Sequence, residues 1–155
     1  MQELKIKITT SQEIEEKLNN VGATFVGEEI FTDTYFNQPQ GEVLKLANIN
    51  EGYFLIALKA VDGKFDMIKN QAIENADPVK IELANEYGIK CILSGKRRIF
   101  QLESYKIILN HIDNVGEFLI LTGINPTPDF IINKIGVQNP EYINVAFDEL
   151  APKSK

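Results

Sequence analysis

Glu42-Val43-Leu44-Lys45-Leu46-Ala47, then Tyr53-Phe54-Leu55-Ile56-Ala57-Leu58-Lys59-Ala60, then Asp62-Gly63 leading into Lys64 to Lys69, decide the fold of this chain. The first two runs are separated only by Asn48-Ile49-Asn50-Glu51-Gly52, a cluster of turn residues. Asp-Gly is a strong hairpin signal. These are consecutive strands with no helix between them, which is the pattern of an antiparallel sheet. Upstream, Glu29 to Phe36 is another strand, ended by the turn Asn37-Gln38-Pro39-Gln40-Gly41. The chain begins with Glu3 to Ile8, in which Glu3, Lys5 and Lys7 alternate with Leu4, Ile6 and Ile8. A helix follows: Thr10 with Glu13 forms a capping box, Ile14, Leu18 and Val21 form an apolar stripe, and Gly22 closes it. Downstream, a second helix is expected to start at Asp77-Pro78, with Asp77 as the cap, and to stop at Gly88. Three more strands are expected at Ile89 to Phe100, Glu103 to Ile112 and Glu117 to Thr122. Short helices are expected after Thr127-Pro128 and after Asn139-Pro140. Strands in blocks, with helices set apart, predict an α+β fold, an antiparallel sheet or a barrel with helices packed outside, and about eight strands suffice to close such a sheet into a barrel around one small ligand.

The chain has 155 residues, which predicts a single domain over 1–155. Its hydrophobic fraction of 44% and charged fraction of 25% are those of an ordinary folded protein. Sixteen Lys and Arg against 22 Asp and Glu give a net charge of −6, which argues against general nucleic-acid binding and against an anionic membrane surface. The lone Cys91 excludes an internal disulfide and a zinc site built on paired cysteines. The N-terminus lacks the basic-then-apolar order of a signal peptide, and runs such as Phe118-Leu119-Ile120-Leu121 are too short to span a bilayer. The expected location is the cytoplasm.

Basic residues recur at alternating strand positions: Lys5 and Lys7, Lys45, Lys59, Lys96 and Arg98, and Lys106. Alternation does not say which face meets water. One reading makes these the solvated outer faces of half-buried strands. The other turns them into the lumen of a closed barrel, where desolvated cations pair strongly with phosphate oxygens.

The order of motifs resembles the CYTH domain, or triphosphate tunnel metalloenzyme fold, over nearly the whole chain. The family's opening Glu-x-Glu-x-Lys is similar to Glu3-Leu4-Lys5-Ile6-Lys7, and its Asp-Thr-Tyr-Phe run is intact as Asp33-Thr34-Tyr35-Phe36. Its Leu-Arg-Ile-Arg strand looks like Leu44-Lys45-Leu46-Ala47, its next lysine matches Lys59, and its Lys-x-Arg strand matches Lys96-Arg97-Arg98. The closing segment resembles Leu109 to Thr122, through Gly116 and Phe118. The resemblance implies class IV adenylate cyclase or triphosphatase chemistry, with Mg²⁺ or Mn²⁺ held by carboxylates from the first and last strands.

Here those carboxylates are mostly replaced. Glu3 survives as the only metal-side residue. The second opening Glu is Lys5, the closing pair is Ile120 and Thr122, and the Asp after Leu109 is Asn110. The Arg-x-Glu-x-Glu run before the middle helix is at best Lys69-Asn70-Gln71-Ala72-Ile73. A lysine repels a divalent ion by about 4 kcal/mol per charge pair at roughly 4 Å, with an effective dielectric near 20. The same lysine, as a fixed cation, replaces the metal as a partner for phosphate. The resemblance therefore implies a tunnel that binds a small phosphorylated ligand, a nucleotide or other polyphosphate, for sequestration or sensing, with no cofactor and little turnover. Its phosphate-binding residues would be Lys5, Lys7, Lys45, Lys59, Lys96 and Arg98, with Glu3, Tyr35, Lys69, Lys106, Asn110, Ile120 and Thr122 as further tunnel candidates. Two alternatives stay open: an active metal-dependent nucleotidyl cyclase or triphosphatase, and a scaffold that keeps only the fold. A monomer or a homodimer fits each. His111 and Cys91 have no visible catalytic partner, and read as packed or surface residues.

Overall fold

In the computed structural model, which describes residues 1–151, β1 (Gln2–Ile8) obeys its alternation. Leu4, Ile6 and Ile8 pack outward against Ile14 and Leu18 of α1 (Ser11–Asn20), while Glu3 and Lys5 face the other way. Thr10 caps α1, its hydroxyl accepting from the Glu13 backbone N–H at 3.2 Å. The next strands form hairpins as their turns dictate: β2 (Thr24–Phe36), β3 (Glu42–Ile49), β4 (Gly52–Val61) and β5 (Lys64–Ile73). Helix α2 (Ala76–Tyr87) leads into β6 (Ile89–Leu102), β7 (Tyr105–Ile112) and β8 (Gly116–Gly123). β2 starts five residues before its sequence signal, because Thr24 to Glu28 pair with β6 as far as Gln101.

The strands run β5-β4-β3-β2-β6-β7-β8-β1, every neighbouring pair antiparallel, and β1 returns to β5 through Gln2↔Asp66 and Glu3↔Phe65. The result is a closed eight-stranded barrel, the α+β architecture that the strand blocks predict. The seam is short. A 2.7 Å hydrogen bond from Gln2 Nε2 to Asp66 and a 3.0 Å backbone bond from Met67 to Met1 secure it.

Beyond Glu3, β5 leaves the edge of β1. The freed backbone of Lys5 to Lys7 pairs instead with β9 (Glu141–Ile143). The expected helix after Asn139-Pro140 is therefore this strand, because an open edge next to it supplies the hydrogen bonds. Helix α2 also departs from expectation. It starts at Ala76 with Asn75 at its cap position, and Asp77 lies inside its first turn. One wide helical turn, Phe130–Ile135, and a short helix α3 (Phe147–Leu150) complete the description.

Three cores follow from this closure. α1 and Ile131 and Ile135 cover the outer face of β1, β6, β7 and β8. α2 covers Phe36 and Leu46 outside β2 and β3. The third core is the inside of the barrel, from Phe31 and Tyr35 through Leu58 to Ile120.

Candidate functional site in the barrel lumen

Five strands bring ionisable side chains to the lumen. β1 contributes Glu3 and Lys5, β2 contributes Glu29, Asp33 and Tyr35, β3 contributes Lys45, β6 contributes Arg97, and β7 contributes Lys106. Apart from Asp33, which is paired to Lys45, they line a cavity of about 440 Å³ that narrows to a small inner chamber. That volume lies within the roughly 300–1,000 Å³ of small-molecule sites.

Lys5 is 2% exposed and sits at the narrow end. Its ammonium lies 3.9 Å from the ring centre of Phe65 and 4.2 Å from that of Phe147, a cation–π clasp on two faces. It makes none of the ion pairs found among the described residues. Burial pushes its pKa down to about 8, against the pull of the Glu3 carboxylate. Lys45 is held differently. Burial works against its charge too, but a 2.9 Å ion pair with Asp33 more than offsets this and holds it above the ordinary lysine range. Arg97 stacks 4.1 Å over Phe31 and reaches Asp33 at 3.8 Å and Glu29 at 3.9 Å. Burial likewise raises Tyr35 well above a free phenol, against the pull of Lys45. Several buried polar atoms have no partner among the described residues: Arg97 Nε, Asp33 Oδ1, Asn110 Oδ1 and Thr122 Oγ1.

The structure brings Glu3, Lys5, Tyr35, Lys45, Asn110, Ile120 and Thr122 together around this cavity, with Lys106 at its mouth. It does not bring the remaining expected residues there. Lys7 lies on the Lys5 side of β1 but is exposed at the barrel's end. Lys59 is exposed on the outside of β4, and Leu58 takes the lumen position. Lys69 is exposed, and its neighbour Asn70 lines the mouth. On β6 the parity is the reverse of the expected one. Phe100 and Leu102 belong to the outer core with α1, so Lys96 and Arg98 share their outward face. Lys96 is exposed, and Arg98 is bound outside by Glu15 at 2.9 Å and Glu28 at 2.8 Å. Arg97 takes the lumen with Leu93 and Ile99. The sequence carried this signal: Leu93 and Ile99 share Arg97's parity, and Glu29, Asp33 and Tyr35 share one face of β2.

Among the described residues, no three His, Cys, Asp or Glu side chains gather as a metal site. Of the lumen carboxylates, Asp33 is committed to Lys45 and Arg97, Glu29 lies near Arg97, and Glu3 shares its strand face with Lys5. Mg²⁺ is usually bound through one or two carboxylates together with substrate phosphates. This donor set, with ammonium and guanidinium groups interleaved, does not fit a metal held by the protein.

No protein-family model and no curated protein matches the chain. Solved structures do. A protein of Pyrococcus horikoshii superposes over 98% of this chain and 100% of its own, at 21% identity and a TM-score of 0.85. A candidate adenylate cyclase of Vibrio parahaemolyticus matches 83% of this chain and 78% of its own, at 18% identity and a TM-score of 0.65. A candidate adenylyl cyclase of Hippeastrum, described by its dominant triphosphatase activity, matches 94% and 91%, at 11% identity and a TM-score of 0.61. With its eight antiparallel strands closed into a barrel, the chain has the fold of the CYTH, or triphosphate tunnel, proteins.

Proposed function

We propose that the lumen binds a small phosphorylated ligand, and does so without a protein-held metal. The observation that carries this reading is Lys5, a buried ammonium with no carboxylate paired to it among the described residues, which shares the inner chamber with Lys45 and Arg97. A phosphate there gains charge-assisted hydrogen bonds in a desolvated setting, where they are strong. It also relieves the repulsion between Lys5 and Lys45. Lys106 at the mouth adds a cation on the entry path. Sequestering or sensing the ligand is the role this reading assigns, because ammonium and guanidinium groups stand among the lumen carboxylates. A second reading, a nucleotidyl cyclase or triphosphatase using Mg²⁺ or Mn²⁺, draws on Glu3 and Glu29 at the cavity wall and on the likeness to the Vibrio and Hippeastrum proteins.

Thermal unfolding with inorganic phosphate, tripolyphosphate and nucleotides, in Mg²⁺ and again in EDTA, separates the two. Ligand at about a hundred times its dissociation constant adds nearly 3 kcal/mol. A stabilisation that survives EDTA is expected. Phosphate or pyrophosphate release that needs the metal would replace this reading with the enzyme, and no response to any phosphate would leave only a scaffold.

A further inference from the structure

The walls of the cavity are unlike its inner end. Ile49, Phe54, Ile56, Met67, Ile99 and Ile108 line the wide part, with Glu29, Asn50, Asn70 and Lys106 at its rim and Thr122 on its wall. Glu3, Lys45 and Arg97 border both the wide and the narrow part, and Lys5 joins them in the narrow part beside Tyr35, Asn110, Ile120 and Phe147. A lumen built for a long chain of phosphates needs cations along its length, because each added phosphate brings charge that must be neutralised out of water. Here one wall, formed by β4 and β5, presents only apolar side chains and Asn70 to the cavity.

Charge balance points the same way. The inner chamber is lined by three cations, Lys5, Lys45 and Arg97, and by Glu3, while Asp33 pairs with Lys45, Glu29 lies near Arg97 and the Asp148 carboxylate acts on Lys5. Three cations among these carboxylates accommodate one phosphate group, about −2 at neutral pH, better than a triphosphate. Among the described residues the buried Arg97 Nε–H, a donor on the lining of this same chamber, has no partner, and a phosphate oxygen can accept from it. Such atoms are costly unless a partner reaches them.

From this division we infer that the ligand is an amphipathic phosphate: a short phosphate head seated at Lys5, Lys45 and Arg97, with an apolar chain or ring lying along Ile56, Met67, Ile99 and Ile108. The inference rests on the reading of the lumen as a phosphate site, and it names the class of ligand. Apolar area buried against those walls supplies the affinity, and the head supplies orientation.

The test is calorimetric titration of the intact protein in EDTA with n-alkyl monophosphates of two to eight carbons. Inorganic phosphate, tripolyphosphate and the matching alkyl alcohols serve as comparisons. Affinity is expected to rise roughly two- to fourfold per added methylene until the cavity is filled. Alcohols are expected to bind at least tenfold more weakly than phosphates of equal length. Met67→Gln, a change of similar size at a half-buried wall position, should flatten the chain-length dependence of the alkyl phosphates. A flat series in the wild type, with tripolyphosphate bound as tightly as octyl phosphate, overturns this inference and leaves the phosphate reading standing. Alcohols bound as tightly as phosphates, or no binding by any phosphate, overturns both.

Discussion

Lys5 is where electrostatics and packing compete most directly. Its folded pKa of about 8 lies below the ordinary 10.5, so the protonated form costs stability. Below pH 8 both the folded and unfolded chains carry the proton, and the cost is full. Between about 8 and 10.5 the unfolded chain binds more protons, so stability rises with pH, and above 10.5 the cost is gone. The shift corresponds to about 3 kcal/mol at most. Cation–π contacts with Phe65 and Phe147 favour the protonated form and limit that cost. Lys5→Met is therefore expected to be more stable than wild type at pH 7, by no more than about 3 kcal/mol, and to lose phosphate binding. Urea unfolding should show that advantage shrinking from pH 8 to 10.5. A destabilised Lys5→Met at pH 7 would mean that the aromatic clasp outweighs desolvation.

At the scale of an element, β6 shows how one strand divides its basic residues between two jobs. Arg97 and Arg98 are sequence neighbours, so the pleat sends them to opposite sides of the barrel wall. Arg98 ties α1 to β2 through Glu15 and Glu28, and it is too exposed for this to contribute more than about 1 kcal/mol. Arg97 is the lumen residue. Arg98→Ala should leave phosphate affinity within a factor of two and lower the melting temperature by a few degrees. Arg97→Met should weaken phosphate affinity at least tenfold, since a charge-assisted bond contributes roughly 1.5–3 kcal/mol. Isothermal titration of both variants checks the parity. Equal losses in the two would place the ligand outside the barrel.

For the whole molecule, closure and plugging are coupled. β5 releases β1 after Glu3, β9 takes over the edge, and the chain that leaves β9 carries α3 to the narrow end of the barrel. There Phe147 packs on Phe118 at 4.8 Å and over the Lys5 ammonium, while Lys90 holds Asp148 and Glu149 from outside. Truncating this ring opens the end of the tunnel to water. Phe147→Ala is expected to destabilise by about 3 kcal/mol, the lower end for a buried phenylalanine. It should also return Lys5 toward its ordinary pKa, because hydration removes the burial that lowered it. NMR titration of the lysine side chains reads that shift, and an unchanged Lys5 would mean that some other group, not Phe147, keeps water from it.

The strand blocks, the turns at Asn37–Gly41 and Asp62-Gly63, and the cap at Thr10 were all legible in the amino-acid order, because each depends on residues within a few positions of one another. So was the succession of antiparallel strands, but strand order alone allows an open sheet as well as a closed barrel, because closure rests on the pairing of β1 with β5 more than 60 residues away. The inward face of β6 was not legible from its own basic residues. Alternation fixes which side chains share a face, but the covering of that face by α1 decides which face is inside. The outward turn of Lys59 has the same cause, since Leu58 belongs to the inner core. The strand Glu141–Ile143 was hidden for a different reason: its hydrogen bonds come from an edge more than 130 residues away, which exists only once β5 has parted from β1.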